Sequence, residues 1–155
     1  MTEADLAALG RAIVAANLYM VLGTADAEGH PWVSPVYFAR ADFDEFFWVS
    51  SPETQHSRNI ALRPEIGIVV FDSHVEIGTG RAVYMSAAAE ELAGRERERA
   101  LEVFSRRSLE HGGRPWGVED VQPPARLRPY RATAAAHYVL DAHDRRVPVR
   151  LSPVP

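Results

Sequence analysis

The stretch YMVLGTADAEGHPWVSPVYFARADFDEFFWVS, Tyr19 to Ser50, decides the fold class. Tyr19-Met20-Val21-Leu22-Gly23-Thr24 is rich in strand formers, Asp26 to Gly29 has the composition of a turn, and Trp32 to Arg40 is strand-like again, which predicts a hairpin. Ala41-Asp42-Phe43-Asp44-Glu45 then turns the chain into Phe46-Phe47-Trp48-Val49-Ser50, a third strand dense in aromatics, so three strands are expected in meander order.

Reading outward toward the N-terminus, Thr2 stands three residues before Asp5, as in a capping box, and Leu6, Leu9, Ile13 and Val14 share one helical face, predicting a helix over about 3–17. Toward the C-terminus, Pro52 ends the aromatic strand, Thr54 to Arg63 suits two or three helical turns, and Pro64 stops them before the apolar strand Ile66 to Phe71. Gly78 and Gly80 mark a turn rather than a phosphate loop, since the further glycine and the lysine of nucleotide loops are missing. Arg81 to Glu91 reads as a fifth strand and Arg95 to Arg107 as a helix with a solvated charged face and a Glu102–Arg106 pair. Leu109 to Pro124 has loop composition, and Arg126 to Leu140 supplies a sixth strand. The Arg- and Pro-rich tail, 141–155, is expected to add an edge strand or to lie over a partner subunit. The expected fold is mainly β (α+β), a six-stranded antiparallel barrel with peripheral helices.

Composition narrows the chemistry. With 155 residues, 46% of them apolar, there is material for one domain and little room for a second. There is no cysteine, which excludes disulfides, thiolate metal sites and a cysteine nucleophile. All 17 basic residues are arginine, so a lysine Schiff base is excluded as well. The six histidines show no metal-ligand spacing, and no metal site is expected. A net charge of −4 argues against a nucleic-acid surface. With no long apolar run and no basic, apolar start, neither a membrane span nor a signal peptide is expected, and the expected location is cytoplasmic.

Four pieces, in this order and spacing, carry a resemblance: Gly29-His30-Pro31-Trp32-Val33-Ser34-Pro35-Val36-Tyr37-Phe38; Phe47-Trp48-Val49-Ser50-Ser51; Gln55-His56-Ser57-Arg58-Asn59-Ile60 ahead of Arg63-Pro64; and Arg81-Ala82-Val83-Tyr84-Met85. Over roughly residues 8–140 the chain resembles the FMN-binding split β-barrels that include pyridoxamine 5′-phosphate oxidase and the flavin/deazaflavin oxidoreductases. The resemblance implies one split-barrel domain over 1–155 and a homodimer with cofactor sites at the subunit interface. It places Ser34, Pro35, Val36 and Tyr37 along the isoalloxazine ring and Ser50, Ser51, Gln55, His56 and Arg58 around its phosphate, counts Val49 among the cofactor-binding residues, and has Trp116 reaching over the flavin of the other subunit. Hydroxyls, helix N-terminal amides and an arginine fork suit a phosphate dianion.

The family's phosphate-binding arginine–lysine pair falls at Gln55-His56, the oxidase's flanking basic residues fall at Ser34 and Ala39, and a strand glutamine falls at Ala82. These departures argue against pyridoxamine phosphate as substrate. The resulting expectation is an FMN-dependent oxidoreductase acting on a small molecule, with no side chain assigned as catalytic. The alternatives are a deazaflavin-dependent reductase, a non-catalytic flavin or haem binder, and a barrel that holds no cofactor.

Overall fold

The computed structural model describes residues 1–153. Its first helix, α1 (Glu3–Ala16), begins at a capping box: Thr2 Oγ1 accepts from the Asp5 N–H at 3.1 Å, and the Asp5 carboxylate accepts from the Thr2 N–H at 2.8 Å. The helix buries Leu6, Ala7, Gly10 and Val14. At Gly10 a Cβ would come within 2.9 Å of side-chain methyls of Val139 and Leu151, so the missing side chain lets the helix lie close on the sheet. The hairpin follows as read, with β1 (Tyr19–Ala25) and β2 (Pro31–Tyr37) joined through Gly29 at φ 88°.

The strand expected over Trp32 to Arg40 is two strands. Phe38, fully buried, interrupts it, and β3 (Ala39–Ala41) continues in a different partnership. β2 pairs with β1, whereas β3 pairs with β4 (Glu45–Ser50) around a tight turn in which Asp42 takes a positive φ of 52°. The expected meander is therefore corrected: β2 and β4 are not ladder neighbours. A buried Phe at the junction anchors the backbone while it changes partners, a cue that alternation of residue types does not supply.

The remaining elements are α2 (Gln55–Leu62), β5 (Glu65–Phe71), β6 (Ala82–Glu91), α3 (Gly94–Glu110), a short 3-10 turn (Val118–Asp120), β7 (Arg128–Leu140) and β8 (Arg146–Val149). The sheet order is β2-β1-β5-β6-β7-β4-β3, with β8 beside β7 and every pairing antiparallel. Among the described residues there are thus eight strands where six are expected. The split at Phe38 adds one. The other comes from the tail, where the Asp141 carboxylate accepts from the N–H groups of Arg145 and His143 and from the Arg145 side chain, which holds its pKa down to about 2 and closes a turn. Because β2 and β3 are the two ends of the order yet adjacent in the chain, the sheet has to curl until its ends meet, giving an antiparallel half-barrel.

One core fills the barrel, with Met20, Leu22, Phe38, Phe46, Trp48, Val70, Val83 and Val139 all buried. The aromatic strand thus serves mainly packing, and Trp48 stacks on Tyr130 with ring centroids 5.7 Å apart. α3 is fixed to the sheet by ion pairs: Arg131 reaches Glu45, Glu90 and Glu96, and Arg99 pairs with Glu45 and Glu96. The charged run on α3 is therefore more than a solvated face, and the expected Glu102–Arg106 pair does not form among the described residues. Among the described residues no helix is long and apolar enough to cross a membrane.

Candidate functional site

A cleft of about 370 Å³ opens where the end of β2 faces the end of β4, the start of α2 and one side of α3. It is lined by Pro35, Val36 and Tyr37 from β2, Val49 and Ser50 from β4, His56 from α2, Phe104 and Ser108 from α3, and Trp116 from the following loop. Each is placed by a local reason. β2 is an end strand paired only with β1, so alternate backbone N–H and C=O groups along it point away from the ladder. Val49 and Ser50 lie at the end of β4, which Pro52 follows. Thr54 caps α2, its hydroxyl accepting from the Ser57 N–H, and this sets His56 on the first turn facing Ser50.

The α3 wall is built of aromatics held edge to face. Phe104 packs against Tyr37 at 5.6 Å and against Trp116 at 5.5 Å between ring centroids. The Trp116 N–H donates to Ser105 Oγ at 2.9 Å, and the Arg114 guanidinium lies 3.7 Å from the Trp116 ring centroid, so the loop is fastened to the helix. At the rim, Tyr37 Oη lies 3.0 Å from His111 Nδ1. Burial pushes the Tyr37 phenol up, so it keeps its proton at neutral pH.

The polar end of the cleft is a buried pair, His56 Nε2 and Ser50 Oγ at 2.9 Å. Burial holds the His56 pKa below the ordinary histidine value, so the ring is neutral and offers a hydrogen bond rather than a charge. This has a consequence for stability. Below about pH 6.5, where an unfolded histidine protonates, the unfolded chain binds the extra proton and the folded chain does not. The contribution of His56 is therefore complete above that pH and is lost as pH falls toward its folded pKa, by at most about 1.4 kcal/mol per pH unit. Urea denaturation of the protein and of His56→Gln at pH 7.5 and 5.5 should show a smaller acid-side loss in the variant.

Of the residues singled out in the sequence, Pro35, Val36, Tyr37, Val49, Ser50, His56 and Trp116 come together around this one cleft. Ser34, Ser51, Gln55 and Arg58 lie outside its lining. Ser34 is paired in register with Leu22. Ser51 Oγ accepts from the Glu53 N–H and its carbonyl accepts from Thr54, so it shapes the turn before α2. Gln55 donates to Asn59 Oδ1 along the helix. Arg58 is exposed and forms no ion pair among the described residues. Phe104 and Ser108 are the cleft residues that the sequence reading missed. Their signal was present, since Ala100, Leu101, Phe104 and Ser108 recur at helical spacing and form the buried face of α3.

Three potential metal ligands, Asp26, Glu28 and His30, converge within 4.8 Å at the hairpin tip, away from this cleft. Their geometry follows from the turn itself, because Asp26 accepts from the N–H groups of Glu28 and His30 and sits 3.0 Å from His30 Nδ1.

The family model for pyridoxamine 5′-phosphate oxidase matches residues 8–123 of this chain. The chain belongs to the pyridoxamine 5′-phosphate oxidase family. Solved structures similar to it include a haem-binding protein from Mycobacterium smegmatis, with a TM-score of 0.74 and 18% identity. That match covers 96% of this chain but only 58% of the length of the mycobacterial protein. HutZ, the haem storage protein of Vibrio cholerae, gives a TM-score of 0.64 at 18% identity, covering 79% of this chain and 85% of that one. An F420 reductase gives 0.60 at 17% identity, covering 83% and 94%. No curated protein matches. These neighbours share the fold of the family while bearing names that point to different cofactors.

The donor set in the cleft can be tested against the family's flavin. Flat apolar walls from Pro35, Val36, Val49, Phe104 and Trp116, with unladdered backbone along β2, suit a planar ring carrying hydrogen-bonding edges. The lining itself contains no arginine, and His56 is neutral.

Proposed function

We propose that the cleft holds a flavin, FMN, and that the protein is a flavin-dependent oxidoreductase acting on a small molecule other than pyridoxamine phosphate. The observation that carries this reading is a single cleft in which an end strand presents its backbone between an apolar floor and an aromatic wall. When bound, a flavin supplies two-electron redox chemistry that no side chain here has to provide. The chain's own part is to bind and orient. Pro35, Val36 and Tyr37 lay their backbone along the ring, Val49, Phe104 and Trp116 exclude water from it, and Ser50 with His56 offers hydrogen bonds at one end. Ser51, Gln55 and Arg58, on the same turn and helix, supply the phosphate contacts, with Arg58 the only full charge among them. Against pyridoxamine phosphate stands the absence of any fixed positive charge from the cleft lining itself.

The working unit is proposed to be a homodimer. Tyr19, Val33 and Phe71, on the neighbouring strands β1, β2 and β5, are all about half or more exposed, and Gly23 and Gly67 pair between β1 and β5. A second copy covering this face shields it and closes the open side of the cleft.

A second reading is haem binding, favoured by His111. Its Nδ1 is held by Tyr37 at the rim of the cleft, while Nε2 makes no hydrogen bond among the described residues, so an oriented His111 would be the residue to hold a haem iron. A deazaflavin in the same cleft is the third reading. One experiment separates them. After incubation with FMN and gel filtration, the protein is expected to retain absorption bands near roughly 375 and 450 nm and to scatter light as a dimer. A Soret band after incubation with haem, lost in His111→Ala, with no retained flavin, would replace FMN by haem. Retention of a deazaflavin alone would replace it by that cofactor.

A further inference from the structure

A second cavity, of about 190 Å³, lies on the neighbouring side of α3 from the cleft and is lined by Ala39, Arg40, Val103, Arg106, Arg107 and Glu110. Residues 103, 106, 107 and 110 share one helical face, and β3 brings Arg40 against them. Three guanidinium groups therefore meet one carboxylate. None of the three arginines forms an ion pair among the described residues, although this chain pairs Arg99, Arg114, Arg131 and Arg145 with carboxylates elsewhere.

The two inner arginines are held in place without being neutralised. Arg40 donates to the Asp42 carbonyl at 2.7 Å and lies 4.1 Å from the centroid of the Phe43 ring. Arg107 donates to the Asn17 carbonyl at 3.2 Å. The Nε atoms of both are buried and have no hydrogen-bond partner. Burial, and then the like charge of Arg107, hold Arg40 below the ordinary arginine range. Like charges fixed together with unused donors are unfavourable by themselves, and what relieves them is an oxyanion able to accept from several N–H groups at once.

We propose that Arg40, Arg106 and Arg107 form an oxyanion site that takes a phosphate group. Two sources share that chemistry: free phosphate, and the phosphate ester of a ligand lying in the adjacent cleft, which shares α3 as a wall through Phe104 and Ser108. The site does not depend on which cofactor the cleft holds.

The test is calorimetric titration of inorganic phosphate into the protein, without added flavin, against sodium chloride of matched ionic strength. Arg106 is the residue to change, because it is exposed and makes no hydrogen bond of its own among the described residues, so Arg106→Gln leaves the fold intact. Phosphate is expected to bind above the chloride control, and Arg106→Gln to weaken it by about tenfold or more, with no change in melting temperature in phosphate-free buffer. Absence of binding above chloride, or equal affinity in the variant, overturns the proposal. Competition then identifies the source. Displacement of phosphate by FMN but not by riboflavin would move the cofactor's phosphate from Ser51, Gln55 and Arg58 to this site, and displacement by neither points to free phosphate; both results presuppose the site.

Discussion

Val49→Trp is expected to abolish flavin retention while leaving the fold standing. Val49 is half-buried, lies on the face of β4 that forms the floor of the cleft, and makes its ladder contacts through backbone opposite Pro129, so the substitution disturbs no pairing. An indole is large against a cleft of about 370 Å³ and would occupy the space assigned to the ring. Tryptophan is also well tolerated on strands. The expected outcome is a loss of FMN affinity of about a hundredfold, the scale of burying or excluding a flat aromatic group, with a melting temperature within a few degrees of the parent. Undiminished flavin binding in a folded Val49→Trp protein would move the flavin out of this cleft.

The neighbouring residue gives the opposite result. Trp48 points into the barrel, is fully buried, and stacks on Tyr130. Truncating such a residue to alanine removes a large apolar area and leaves a cavity, a loss of about 3–5 kcal/mol. One feature moderates this: the Trp48 Nε1–H is buried with no hydrogen-bond partner, so removing the indole also removes an unsatisfied donor. Trp48→Ala is therefore expected near the lower end, about 3 kcal/mol, which lowers the melting temperature by about 6–12 °C for a domain of this size. Calorimetry checks this, and flavin binding measured well below the transition should persist. A loss below about 1 kcal/mol would mean that the core relaxes around the site far more than close packing allows.

The contrast between residues 48 and 49 shows what a sequence can and cannot reveal here. Strand period two makes adjacent residues face opposite ways, and the run Phe46 to Ser50 was legible as a strand for that reason. Which of its aromatics served the core was not legible, because Phe46, Phe47 and Trp48 are all apolar and all buried, the sheet being covered on both sides at this point by the barrel interior and by α3. The capping box at Thr2, the helix between Pro52 and Pro64, and the glycine turns were read correctly because each rests on local chemistry within a few residues. Phe38 and β8 were harder. Changing partners at Phe38 is decided by the distant strands β1 and β4, and β8 exists because Asp141 closes a turn against β7.

The candidate site divides along the same line. Residues on β2 and β4 follow from strand order and from the resemblance, whereas Phe104 and Ser108 belong to a helix whose dense charges conceal a narrow apolar stripe. The arginine cavity was invisible for a further reason. Arg40 and Arg106 are far apart in sequence, and only the turn at Asp42 and the docking of α3, fastened by Arg131 and Arg99, bring them together.

An open sheet usually unzips from a free margin, one strand peeling away while the rest holds. In this barrel two of the margins, β2 and β3, are tethered to each other by Phe38 alone, and that tether is sealed in the core. Neither of these two can lift without pulling on the other, so they behave as one mechanical unit. A molecule seated against Pro35 to Tyr37 braces β2, and through a single residue it also steadies β3 and Arg40 on the far margin.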